Sequence, residues 1–135
     1  MIKVTPEPEW DKIQNVCANS SVIPEENALC YFIYDNCPRG GEELLVGFCL
    51  FKLTASGGRI IRLRNTKDAA DREALIIAGR ACLDFIERTG GDDAVFEEDD
   101  KALADCLGFT EREGKLLLNL CGYFDTCKKY EGEPV

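Results

Sequence analysis

The run Val46-Gly47-Phe48-Cys49-Leu50-Phe51 constrains this chain more than any other feature. A strand with one solvated face alternates apolar and polar side chains, whereas this run has no charged or strongly polar member. It fits a central strand covered on both sides. The chain therefore needs a sheet with a layer against each face, and its 135 residues suffice for one such domain and no second. A body of this size buries a core without help from disulfides or a metal.

The segments around the run supply the other layers. Residues 1–27 show the least pattern, although Trp10, Ile13, Val16 and Cys17 follow helical spacing and predict a short amphipathic helix after Pro8. Residues 28–34 read as a strand, 44–54 as the central strand and 59–64 as a third, with Ala55-Ser56-Gly57-Gly58 as a hairpin turn. The clearest helix starts beyond Asp68, its expected cap, and carries apolar residues at 74, 75, 77, 78, 81, 82, 85 and 86. Gly90-Gly91 ends it. A short strand around Ala94-Val95-Phe96, a helix over 99–107 and a hairpin of 109–112 with 115–120 complete the core. The chain thus divides into an amino-terminal segment (1–27), a core (28–120) and a polar tail (121–135), part of which Tyr123, Phe124 and Cys127 can dock. This order predicts an α+β fold, or α/β with a mixed sheet. The sheet is largely antiparallel, with helices on both faces and one parallel strand–helix–strand crossover.

Composition removes whole classes of chemistry. The chain has no histidine, which excludes Ser-His-Asp and Cys-His catalysis and His-ligated metals. Its formal charge of −9 repels nucleic acid, and no basic stripe exceeds Arg59, Arg62, Arg64 and Lys67. The first residues form no apolar signal segment, and no run approaches the ~20 apolar residues of a membrane span. The expectation is a cytoplasmic protein that binds neither nucleic acid nor membrane. None of the eight cysteines stands in C-x-x-C spacing, so they read as buried thiols with no metal. Cys37, before Pro38, is the best candidate for an exposed reactive thiol.

The crossover sets the amino end of the long helix beside the carboxyl end of the strand before it. Free backbone N–H groups there make a candidate phosphate site. Over about residues 28–120 the chain resembles the GNAT superfamily of N-acetyltransferases. The resemblance rests on element order, on the strand pair 44–63 and on the helix ending Phe85-Ile86-Glu87-Arg88-Thr89-Gly90-Gly91. It rests also on Ala102-Leu103-Ala104-Asp105-Cys106-Leu107-Gly108-Phe109 with the hairpin that follows. It implies an acyl-CoA site: a pantetheine arm between segments 59–63 and 94–97, and a pyrophosphate on backbone amides at the start of the next helix. An acceptor amine then attacks the thioester directly, a Glu or ordered water takes its proton, and a tyrosine protonates the leaving thiolate. On that reading Leu63, Arg64, Lys67 and Arg72 are candidate cofactor-binding residues. Glu97 and Glu98 are candidate general bases, acetyl-CoA is the cofactor, and a small-molecule amine is the acceptor. The bland alternatives are an exposed, ion-paired Arg72 and a solvated helix start at Glu97 and Glu98.

The chain also departs from the family's pattern. Ala70-Asp71-Arg72-Glu73-Ala74-Leu75 stands where the family's pyrophosphate loop reads Gln/Arg-x-x-Gly-x-Gly/Ala, and Ala104 stands where its tyrosine falls. Three functions follow: an N-acyltransferase homologue, a non-catalytic GNAT-like module for a small ligand or protein, and a structural homodimer. The last would join through the hairpin of Leu116-Leu117-Leu118.

Overall fold

Burial of the 46–51 run on both faces organises the whole molecule. The structure, a computed structural model, describes residues 1–36, 43–67 and 69–124. Their elements, in chain order, are β1 (Ile2–Pro6), α1 (Trp10–Asn19), β2 (Leu29–Asn36), β3 (Glu43–Leu53) and β4 (Gly57–Asn65). Then come α2 (Arg72–Arg88), β5 (Asp93–Phe96), α3 (Lys101–Leu107), β6 (Thr110–Arg112) and β7 (Lys115–Asn119). The strands form one mixed sheet in the order β1-β2-β3-β4-β5-β7-β6, in which β4 and β5 alone run parallel. The fold is α+β.

Each side of β3 feeds a different core. Cys49 and Phe51 join Ile60, Leu63, Leu83, Ile86 and Leu107 beneath α2 and α3. Phe48 and Leu50 join Ile13, Cys17, Phe32 and Ile61 beneath α1. Strict alternation would put Ile60 and Leu63 on opposite faces, yet both lie under α2. The reason is a β-bulge: Phe51 pairs with Ile60 and Leu50 with Arg62, leaving Ile61 unpaired between them.

The structure corrects several sequence expectations. Strand β1 was unforeseen because Ile2-Lys3-Val4-Thr5 alternates too briefly before Pro6; it survives as an edge strand against β2. Helix α2 is capped by Asp71, whose carboxylate accepts from the Ala74 N–H at 3.0 Å; the expected cap, Asp68, lies outside the described residues. The hairpin turn is Ala55-Ser56, closed by the Thr54 N–H to the Gly57 carbonyl at 2.9 Å, so Gly57 and Gly58 open β4 rather than forming the turn. Helix α3 starts two residues later than expected, because Asp100 caps it through the Leu103 N–H. Tyr123 docks by donating its hydroxyl to the Leu107 carbonyl at 2.7 Å. Cys37 and Cys127 lie outside the described residues.

Gly57 shows how closely β4 and β5 are seated. A Cβ there would overlap the Asp93 carbonyl, a backbone atom that cannot turn aside. Gly57→Ala is expected to destabilise the fold by about 3 kcal/mol, read as a lower urea midpoint, because overpacking against backbone has no relief.

Candidate functional site

The site begins where β5 leaves β4. Their ladder ends at the Ile60–Phe96 pair, followed by the Glu97 N–H to the Ile60 carbonyl at 2.8 Å. The bulged residue, Ile61, comes next on β4, and a bulge bends and twists its strand. From there β4 continues to Asn65 while the segment after β5 turns off through Glu98 and Asp99 toward α3. The strands part around a cleft of about 280 Å³ lined by Leu63, Arg64, Arg72, Leu75, Glu98 and Asp100, among others.

Four of the six residues singled out from sequence gather here: Leu63, Arg64, Arg72 and Glu98. Lys67 does not. It lines a separate hollow of about 510 Å³ with Val16, Ser20 and Leu45, on the α1 side. Glu97 also points elsewhere, held in a two-pronged pair by Arg59 (Nε to Oε2 and Nη2 to Oε1, each 2.8 Å). Arg59 in turn reaches Glu25 at 3.1 Å, tying the turn after α1 to the sheet. Two short bonds to a guanidinium leave Glu97 poorly placed to take a proton from an amine.

Glu98 is not the solvated helix start that its neighbours suggest; its side chain is only 4% exposed. Oε2 accepts from the Leu63 N–H at 3.1 Å and from Arg64 Nε at 2.9 Å. Oε1 accepts from Arg64 Nη2 at 2.7 Å and from the Asp99 N–H at 2.9 Å. A buried carboxylate is tolerated only when paired and hydrogen-bonded to this degree. Burial pushes its pKa up, but the Arg64 guanidinium and the two backbone N–H groups outweigh burial and hold it below the usual carboxylate value. Leu63 enters the site through its backbone, since its side chain belongs to the core under α2.

Charged side chains line the mouth of the cleft. Arg72, exposed at the start of α2, faces Asp100 at 3.4 Å, and the same carboxylate caps α3 through the Leu103 N–H at 3.1 Å. Asp71 occupies the Ala74 N–H of α2, and Asn65 fixes Asp71 by accepting from its N–H at 3.2 Å. The helix end that would receive a pyrophosphate therefore carries its own carboxylate. Ala104, at the family's tyrosine position, is fully buried and has no proton to give. Sequence reasoning missed Asn65 and Asp100. The available signals were an Asn at a strand end and an Asp three residues before Leu103, an ordinary cap spacing.

Among the described residues no thiol lines the cleft. Cys17, Cys30, Cys49 and Cys82 are buried, whereas Cys106 and Cys121 are exposed. Burial pushes the Cys17 thiol up to about 11 and also raises Cys30. Among the described residues no three His, Cys, Asp or Glu side chains are arranged to hold a metal ion, and no helix is long and apolar enough to cross a membrane. No family model matches the chain, and no curated protein matches it.

Two outcomes follow from these environments. Glu98→Gln is expected to cost about 2–4 kcal/mol near neutral pH by unbalancing a buried pair whose arginine is partly solvated. Because the folded pKa is depressed, the carboxylate's contribution is complete above the ordinary carboxylate range and is lost as pH falls through the folded value. The gap between wild type and variant, measured by urea denaturation, should stay constant at neutral pH and narrow below pH ~4.5. In peptide mapping after iodoacetamide, Cys106 and Cys121 should label in the native protein, while Cys17, Cys30, Cys49 and Cys82 should label only on unfolding.

Proposed function

We propose that this chain is a GNAT-like domain that works as a binding module rather than as an acetyltransferase. The parting of β4 and β5 supports the GNAT-like part of the reading, since that is where the resemblance sets an acyl-CoA arm. One observation carries the rest. The Leu63 N–H, on the wall where a pantetheine arm would lie, is already bonded by the Glu98 carboxylate. Opening that slot means removing a carboxylate from four donors in a buried setting. The capped α2 terminus and Ala104 support the same reading, for neither supplies what a thioester donor needs. The negative surface then favours cationic ligands or partners, drawn in by steering.

The acetyltransferase reading retains one supporting observation, the cleft itself, and the two readings separate in a single titration. A ligand specific to the native state raises the melting temperature by mass action. We expect no shift at about 1 mM acetyl-CoA, a hundredfold above a ~10 µM dissociation constant. A rise of several degrees, or thiol release from acetyl-CoA with any of a panel of primary amines, would overturn the binding-module reading and restore the enzyme.

A further inference from the structure

The sheet is covered unevenly. Ala94 and Phe96 on β5, with Leu116, Leu118 and Leu120 on and beyond β7, face α2 and α3. Their neighbours face the other way: Asp93 and Val95 on β5, Lys115, Leu117 and Asn119 on β7, and by register Thr110 and Arg112 on β6. The core beneath α1 draws only on α1, β2, β3, β4 and the turn between α1 and β2, so among the described residues no helix reaches this second face. Val95 and Leu117 belong to neither core and form the floor of an open hollow of about 620 Å³.

The charges on this face are unsatisfied in a polar pattern. Arg112 and Lys115 stand directly opposite one another beside the Glu113-Gly114 turn, and neither has an ion pair among the described residues. Like charges in that position repel across the ladder. At the other end lie Asp92 and Asp93, both exposed; Asp93 accepts only the Ser56 hydroxyl, at 3.0 Å. The register sets Asp93 opposite Asn119 and Arg112 opposite Lys115, a separation along β7 of roughly 13 Å. The two ends cannot neutralise each other within one chain.

We propose that this face is a homodimer interface, on which a second copy packs its own β5-β7-β6 face with the strands reversed. Reversal sets the end bearing Arg112 and Lys115 against the second copy's end bearing Asp92 and Asp93, with Lys115 one strand across from Asp93, and the two-fold axis repeats the contact at the other end. Leu117 and Val95 meet their counterparts at the centre, at the ~10 Å spacing of packed sheets. The net charge of −9 on each copy opposes association, but at physiological salt it is screened beyond about 8 Å, so the close pairs dominate. The interface involves neither Glu98 nor the cleft and stands whether or not the binding-module reading does.

Sedimentation equilibrium of the full chain tests it with two charge-reversed variants, Arg112→Glu/Lys115→Glu and Asp92→Lys/Asp93→Lys. Circular dichroism serves as a check that each variant is folded. Wild type should be a dimer, and each variant alone should dissociate with a constant raised at least about tenfold. An equimolar mixture of the two should dimerise again, because both ends then pair opposite charges. Leu117→Glu should give a folded monomer. Wild type remaining at 15.0 kDa up to about 200 µM would overturn the proposal. So would a dimer indifferent to these substitutions, or a mixture that stays monomeric.

Discussion

Where two strands separate inside a sheet, every backbone group facing the opening must find another partner, because buried N–H groups are rarely left unpaired. In this protein that requirement falls on the Leu63 N–H, and Glu98 meets it. The arrangement has three linked parts. The bulge at Ile61 turns β4 away from β5, the turn after Glu97 brings Glu98 back into the gap, and Arg64 neutralises the carboxylate. Remove any one and another is stranded: a buried N–H, a buried charge or a cleft without a floor. The parting of the strands is thus a property of a bonded cluster, and the same cluster decides what the cleft can admit.

Much of this was legible beforehand because it rests on local periodicity. The two-faced run of β3, the broad apolar stripe of α2 and the glycines after both α2 and α3 predicted a mixed sheet with helices on both faces; the sheet observed is mixed, and its β2-β3-β4 part is covered on both sides. What escaped depends on distant partners. Ile2-Lys3-Val4-Thr5 becomes a strand only because β2 offers an unpaired edge, a fact absent from those four residues. Sequence reads Asp71 as a first-turn acid behind the cap, whereas it is itself the cap of α2, held by Asn65 six positions earlier. Glu98 sits in an acidic run that reads as solvated surface; its burial follows from Arg64 and Leu63, 34 and 35 residues away.

Electrostatics in the cleft separate its two arginines. Arg64 is part of the floor, bonded by two prongs to a buried carboxylate. Arg72 is half exposed and holds Asp100 at the long edge of pairing, 3.4 Å, where an ion pair contributes little. An anionic ligand at the mouth would gain one loosely held guanidinium and meet Asp71, Glu98, Asp99 and Asp100 around it. Glu98 and Asp71 are already bonded, so a cationic ligand there would meet chiefly Asp99 and Asp100. On the binding-module reading, like charge from those carboxylates, rather than the loss of any single residue, opposes a pyrophosphate.

The short strand β5 lies at the meeting point of both unusual features. Its exit supplies Glu98, which shuts the opening beside β4, and its outer side chains, Asp93 and Val95, belong to the face that no described helix covers. Strands β2, β3 and β4 have helices on both sides, so their half of the sheet is finished by the chain itself. On the half built from β5, β7 and β6, the described helices cover one side alone. Among the described residues the apolar floor there is uncovered and the charges of Arg112 and Lys115 are unpaired, while the polar groups of the cleft bond one another. Among the described residues, apolar side chains and unpaired charge therefore coincide on this sheet face, while the gap between the parallel strands holds polar groups already bonded to one another.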